Sequence, residues 1–375
     1  MKKIGHIIRK EFLQLKRDPR LLPILFISPV MQLLILGYAV NLDVKDIPTV
    51  VCDLDRTEAS RNFVEEFLNS GYFRLRSRVS DIREIDRFLD NGKASVAIVV
   101  EPRFGDHLAA RTQAGVQLIV DGTESQSATI GANYAIAITA RYGQDIMKPV
   151  LDKLKAMGVY PVSVNPEVRV WYNPELRSRN FMVPGILGLV LMVMTMMLTS
   201  MAIVKEKEIG TMEQLIVTPI RPVELIVGKL LPFIFIGLVD AVMVVSIATL
   251  WFKIPLRGSV FLLLFLSLIF MMTTLGLGLF TSTISRSQQQ AMMTTVFFMM
   301  PMMLLSGFVF PIENMPVIFQ WITRLIPLRY YFVIVRGIFL KGVGLAALWD
   351  ETVALIIFGL AILGLSVLRF RKKLG

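Results

Sequence analysis

Apolar and polar positions along this chain fall into long blocks, and the period inside each block differs. From Ile4 the apolar residues Ile4, Ile7, Ile8, Phe12 and Leu15 recur at helical spacing, while Lys2, Lys3, Arg9, Lys10, Lys16 and Arg17 fill the other side. This pattern predicts a basic amphipathic helix lying in a membrane interface over residues 1–20, stopped by Asp18 and Pro19. Residues 21–42 then carry no charge. At about 1.5 Å per residue such a run crosses a hydrocarbon core of roughly 30 Å. It is longer than a signal-peptide core and lacks a small-residue cleavage site, so it is expected to be a retained first span.

Residues 43–180 are of another kind. Charges of both signs return, and short β-rich runs at 49–52, 73–78, 95–100, 116–120 and 167–171 alternate with helical patterns near 58–69, 81–91 and 125–155. Strand and helix in alternation predict a compact α/β domain, held outside the cytoplasm as a binding or docking module. Beyond it the apolar blocks resume, at 181–204, 225–252, 258–284, 288–311 and 352–370, and the 371–375 tail is basic. The fold class expected is an α-helical polytopic membrane protein with six transmembrane helices and an α/β extracytoplasmic domain between the first two. The bias of Lys and Arg places both termini in the cytoplasm. Residues 312–351 resist that bias, because Arg324, Arg329, Arg336 and Lys341 fall on the outer side. They are read as two short helices dipping into the outer leaflet, with their cations reaching for headgroups.

One polar island, residues 205–224, interrupts the apolar blocks and is too short to be a domain. Gly210 suits the left-handed turn that closes a helix, and Thr211 with Gln214 forms a capping box that opens the next. Glu213 sits in its first turn, and Met212, Leu215 and Ile216 recur on one face before Thr218 and Pro219 end it. A short helix with acidic flanks and an apolar face fits another protein's groove. A solvated cytoplasmic loop is the other reading of the same spacing.

Composition narrows the class further. With 54% hydrophobic residues and a mean hydropathy of +0.61, the apolar surface exceeds what a soluble chain of 375 residues can bury. A net charge of +11 would suggest nucleic acid in a soluble protein. Here the cations gather beside apolar runs, so they read as topology determinants and lipid contacts, and no nucleic-acid partner is expected. The lone Cys52 excludes an internal disulfide, and the distant His6 and His107 do not make a metal site. Asp53, Asp55 and Asp121 lie at predicted strand ends and read as turn or helix-cap residues. No GxxxxGK[ST], HExxH, GxSxG or CxxC motif occurs. The chain is therefore expected to be a non-enzymatic transporter whose energy comes from a partner or an ion gradient.

Inside the membrane blocks, Asp240 is a candidate functional group because an ionisable residue there is costly. Methionines cluster in two blocks, with Met192 and Met196 in one and Met299 and Met303 in the other. Such side chains suit a surface for varied apolar ligands, although plain core or lipid-facing packing is the favoured reading, because methionine fills gaps anywhere.

The basic start ending in Arg17, Asp18 and Pro19, the insert after the first span, and above all the run Lys205-Glu206-Lys207-Glu208-Ile209-Gly210-Thr211-Met212-Glu213 resemble the permease subunit of ABC-2-type exporters. The resemblance is nearest to the bacterial multidrug-type subgroup with a large insert, and continues through Gly228, Lys229 and Leu305-Ser306-Gly307-Phe308. It implies that the polar island is a coupling helix receiving the stroke of a separate ATPase subunit, with Glu206, Glu208, Gly210, Thr211 and Glu213 at matching positions. Met212, Leu215 and Ile216 complete that surface. The resemblance further implies that the second and fifth spans line the pathway, which makes Met192, Met196, Met299 and Met303 candidate lining residues with Asp240, a position outside the family pattern. It also implies that two permeases, identical or sister chains, pair with two ATPases in a bacterial inner membrane. ATP and magnesium would be bound by the partner and no cofactor by this chain. Membrane lipids and a periplasmic adaptor protein are further candidate partners. Two other readings stay open on the residues alone: an ion-coupled secondary transporter using Asp240, and a membrane-anchored receptor using the α/β domain.

Overall fold

The computed structural model describes residues 2–17, 21–39, 46–123, 125–158, 171–173, 177–210 and 222–372. The chain divides into two compact units, one formed by Met1–Asn41 with Val170–Gly375 and the other by Leu42–Arg169.

The first unit is helical. It begins with α1 (Lys2–Arg17) and α2 (Leu21–Ala39) and resumes with α7 (Ser178–Glu208), α8 (Pro222–Leu250), α9 (Val260–Ile284) and α10 (Gln288–Leu305). It closes with the short helices α11 (Val317–Thr323) and α12 (Pro327–Arg336) and the long α13 (Trp349–Lys372). Among the described residues four helices are long and apolar enough to cross a membrane: Ser178–Glu208, Val223–Leu250, Val260–Ile284 and Leu345–Arg369. They correspond to the second, third, fourth and sixth expected spans. The first and fifth are the shorter α2 and α10. The latter has only 18 residues and opens on Gln288, Gln289 and Gln290.

Helix α9 lies at the centre, packed between α7 and α13. Small and hydroxylated residues make this possible, since helices surrounded by lipid gain more from close backbone approach and buried hydrogen bonds than from apolar burial. A Cβ on Gly278 would sit 2.7 Å from the Met196 carbonyl oxygen, so only glycine lets α7 and α9 touch there. The hydroxyls of Thr195 and Thr274 bond at 2.6 Å, and Thr281 donates to Ser200 at 2.8 Å. On the other side Ser366 of α13 donates to the Gly276 carbonyl at 2.9 Å. Tyr331 of α12 is fully buried, stacked on Phe270 at 4.1 Å with its hydroxyl 2.6 Å from that of Ser267.

The short-helix region corrects one expectation. The Arg336 guanidinium does not reach outward but lies over the Phe181 ring at 3.5 Å, where cation–π attraction replaces a headgroup. Arg324 lies over Trp321 at 4.0 Å and is exposed.

The second unit holds β1 (Ile47–Asp53), α3 (Glu58–Asn69), β2 (Phe73–Val79), α4 (Arg83–Asp90), β3 (Val96–Val100), α5 (Phe104–Ala109), β4 (Val116–Val120) and α6 (Ser125–Ala156). Its strands form one sheet in the order β2-β1-β3-β4, with β1 parallel to both neighbours and β4 antiparallel to β3. Alternation along the central strands feeds two cores. Val51, Val96, Ile98 and Val100 meet Phe63 and Phe67 of α3, whereas Val50, Cys52, Ala97 and Val99 meet Ile85 of α4. Both faces are covered, which explains why β3 reads as an unbroken apolar run. Of the expected 167–171 strand, residues 167–170 lie outside the described residues, and Trp171 is not in a strand. Asp53 and Asp121 do serve as turn residues. Asp53 Oδ1 accepts the backbone N–H groups of Asp55 and Arg56 at 3.1 and 2.9 Å, and Asp121 Oδ1 accepts that of Thr123 at 2.9 Å. Asp55 accepts from the Thr57 hydroxyl and from Gly105 N–H, and these donors outweigh desolvation to hold its carboxyl below the usual range.

Candidate functional site

Helix α7 ends in a turn that points three charged side chains at different neighbours. After Glu208 the backbone N–H groups of Ile209 and Gly210 bond back to the carbonyls of Lys205 and Lys207, and Gly210 adopts a φ of +75°. That conformation is cheap only for glycine and closes the helix as its sequence predicts. Successive residues of the last turn are rotated by about 100°, so Lys205, Glu206, Lys207 and Glu208 cannot share a face.

Glu206 turns inward and is only 6% exposed. One of its carboxylate oxygens accepts from Lys10 Nζ of α1 at 2.6 Å, and the other is paired with Lys229 of α8, itself 3% exposed. Lys207 donates to the Ser282 carbonyl at the end of α9, where helix carbonyls favour a cation. Glu208 accepts from the Gln288 backbone N–H at 3.0 Å and from its side-chain amide at 2.7 Å, where the first turn of α10 favours an anion. Through these contacts one helical turn is tied to α1, α8, α9 and α10. The approach of α1 to α8 rests on Gly228, where a Cβ would lie 2.8 Å from Ile7.

A second acid belongs to the cluster. Glu11 is 5% exposed and stands 3.8 Å from Lys10, and its Oε1 has no hydrogen-bond partner among the described residues. Burial pushes its carboxyl up from the ordinary 4.5, helped by the Glu206 charge and opposed by Lys229 and Lys10. Beside the cluster opens a cavity of about 570 Å³, lined by the apolar Leu198, Met201 and Phe233 and by the polar Arg17, Lys205 and Gln14.

The expected site residues separate into three groups. Glu206, Glu208 and Gly210 are described above, whereas Thr211, Met212, Glu213, Leu215 and Ile216 lie outside the described residues. The carboxylate of Glu206, expected on a surface that meets a partner, faces its own chain instead, because two buried or half-buried lysines converge on it. Lys10, expected among the headgroup contacts, turns to that carboxylate, while Arg9, Lys16 and Arg17 remain exposed. Lys229 and Glu11 were missed as members of the cluster. Their signal was a lone cation inside the 225–252 apolar run and an acid amid the bases of α1.

The candidate pathway residues do not converge on one opening. Met192 and Met196 are 1% and 0% exposed, sealed in the helical core, so in this structure they line no lumen. Met299 and Met303 are half-buried on α10, which fully buries only Ala291 and Thr295. Asp240 is completely buried on α8, and neither carboxylate oxygen has a partner among the described residues. One turn before it, Gly237 packs against Met271 and Thr195. Among the described residues no group of His, Cys, Asp and Glu is placed to hold a metal.

Long apolar helices joined by buried ion pairs define a multi-pass membrane protein. The sequence profile of the ABC-2 family transporter proteins matches residues 20–368, and the chain belongs to that family. It is 32% identical to the probable multidrug ABC transporter permease YbhR of Escherichia coli over 367 residues, covering 98% of each chain. It is 30% identical to the probable multidrug ABC transporter permease YbhS of the same organism, covering 97% of this chain and 96% of that one. A more distant relative, ABC transporter G family member 20 of Dictyostelium discoideum, is 23% identical over 97% of this chain and 50% of its own length.

Two consequences can be measured on the purified protein in neutral detergent. Glu206→Ala leaves Lys229 buried without its counter-ion and is expected to cost about 3–5 kcal/mol, read as a lower thermal midpoint. An unchanged midpoint would show that the cluster carries no stability. Glu11 gives the opposite sign: because its folded pKa lies above 4.5, the folded state keeps a proton that the unfolded chain has released, and stability falls as pH rises through that window. Glu11→Gln cannot ionise, so it should melt higher than the parent above the window and alike below it.

Proposed function

We propose that the chain is the membrane-spanning permease subunit of an ATP-binding-cassette exporter, driven by a separate ATPase subunit that presses on the segment after Gly210. The observation that carries this reading is the Glu206 cluster. A push on residues 211–217 would act on the end of α7, and the contacts of Glu206, Lys207 and Glu208 would pass it to α1, α8, α9 and α10 without slack. Glu206 is then a transmission residue inside the permease, and Glu213 with the apolar Met212, Leu215 and Ile216 is the surface offered to the motor.

The cargo in this reading is an amphiphilic small molecule, drug-like or lipid-like, taken from the cytoplasm or inner leaflet. Relatives described as probable multidrug permeases support that class, as does the cavity beside the cluster, which both apolar and charged residues line. Six spans, with α2 and α10 as the first and fifth, place both termini in the cytoplasm and the α/β unit outside it. A second permease, identical or a sister chain, pairs with this one. The Dictyostelium relative, half of which this chain matches, is consistent with a permease that is one half of a larger machine.

The unpartnered Asp240 favours the rival reading of an ion-coupled transporter, and the two can be separated. Glu213→Lys combined with Gly210→Val is expected to abolish co-purification of the ATPase and at least about tenfold of export, with the membrane level of the permease unchanged. If association and export both survive, the coupling assignment is wrong. Asp240→Asn is expected to reduce export more than it lowers the thermal midpoint. Export that persists after ATP depletion, with the ion gradient intact, and is lost in Asp240→Asn would establish the ion-coupled reading instead.

A further inference from the structure

The α/β unit contains a cavity that neither the transport reading nor the family accounts for. It has a volume of about 310 Å³ and opens at the carboxyl ends of the parallel strands β1 and β2, beside the start of α3. Ligands of open α/β sheets bind outside the carboxyl ends of the strands.

Three arginines surround the mouth: Arg56 in the loop after β1, Arg61 on α3 and Arg78 near the end of β2. None of them forms an ion pair among the described residues. The acid in the wall, Asp53, makes no ion pair with them among the described residues. Its Oδ1 accepts two backbone N–H groups, and its Oδ2 accepts the Ser60 hydroxyl at 2.8 Å. Over the whole sequence of this unit acidic and basic residues nearly balance, so a mouth with three arginines and one occupied acid is a local excess of positive charge.

The arrangement is built rather than incidental. Arg56 has a φ of +57°, a left-handed conformation unfavourable for a side chain, and its N–H is pinned to Asp53 at 2.9 Å. The Arg61 guanidinium donates to the Arg56 carbonyl at 3.0 Å, which fixes one arginine against the other. Arg78 is aimed by a β-bulge. Leu75 pairs with Thr49 but Ser77 pairs with Val50, so Arg76 is an extra residue and the alternation of β2 reverses beyond it. The reversal sets Arg78 opposite Val51, on the α3 face, instead of on the α4 face. Bulges of this kind re-aim side chains near sites. Val51 and Val64 of the α3-side core supply apolar lining, which limits competing water.

We propose that this cavity binds a phosphate group carried by a small molecule or a lipid headgroup. Guanidinium forks match the tetrahedral oxyanion, and three of them suit a dianion better than a single carboxylate. Arg56 and Arg61 hold two oxygens from the helix side and Arg78 closes from the sheet, with the Ser80 hydroxyl at the rim. This site is independent of the coupling cluster.

The test uses the full-length protein in neutral detergent, titrated with inorganic phosphate and with glycerol 3-phosphate, and then mixed with vesicles of phosphatidic acid or of phosphatidylcholine. Saturable binding of the phosphate ester is expected, weakened at least about tenfold by Arg61→Gln or Arg78→Gln. Arg78→Lys keeps the charge but loses the fork, so most of the affinity should go with it. Arg56→Gly relieves the left-handed strain, so it should weaken binding while leaving the thermal midpoint equal or higher. That variant separates a lost site from a lost fold. Displacement of the ester by phosphatidic acid vesicles identifies a lipid source; resistance to both vesicle types identifies a soluble one. Binding that fails to saturate below about 10 mM, or that is the same in all four variants, overturns the proposal.

Discussion

The helical unit depends on the pairing of one buried carboxylate with two lysines. A charge taken out of water is tolerated only when opposite charge and hydrogen bonds replace its hydration, and an unmet partner is penalised by several kcal/mol. Glu206 therefore cannot be moved without moving Lys10 and Lys229, and with them α1 and α8. The same turn sends Lys207 to the carbonyl end of α9 and Glu208 to the amide end of α10, so the polar groups left over at two helix termini become the means of holding a third helix. Apolar contact in a bilayer would allow these helices to slide; ion pairs and terminal hydrogen bonds have one geometry. A rigid junction at the point where an outside force is proposed to enter is what a transmitted stroke requires.

Deeper in the helical unit the same economy of polar groups recurs in neutral form. Threonine and serine hydroxyls bridge α7 with α9, and α9 with α13 and α12, at positions where glycine brings the backbones together. Asp240, an acid, is buried without such a bridge among the described residues. The α/β unit solves a different problem. Its sheet is covered on both faces by helices, which leaves the strand ends as the places where charge can gather. At one of those ends a bulge, a left-handed arginine and a saturated aspartate combine to keep three guanidinium groups together.

Much of this was legible in the residues. Long uncharged runs identify spans because an unpaired charge or backbone group has no partner in hydrocarbon, and alternation of period two identifies strands because the pleat sends successive side chains to opposite faces. Gly210 reads as a helix end because the left-handed turn there admits little else. Asp53 and Asp121 read as turn residues because a short carboxylate satisfies nearby N–H groups. What did not read correctly were partners at long range. That Lys10 pairs with Glu206 and that Met192 packs into the helical core does not show in the residues, since each has the composition of its neighbours and nothing local distinguishes it.

By itself the sequence determined the class of material at each point along the chain: where helices can lie in lipid, where a sheet can form, and where a helix must stop. Those are properties of local period, length and hydration, which a few consecutive residues settle. Only the tertiary structure decided that Glu206 meets residues 196 positions before it and 23 after it, and that Arg78 shares a face with Val51. A buried charge selects its partner by distance and desolvation, and a bulge changes the side of a sheet by one residue. Both are set by how remote segments pack, which no local pattern records.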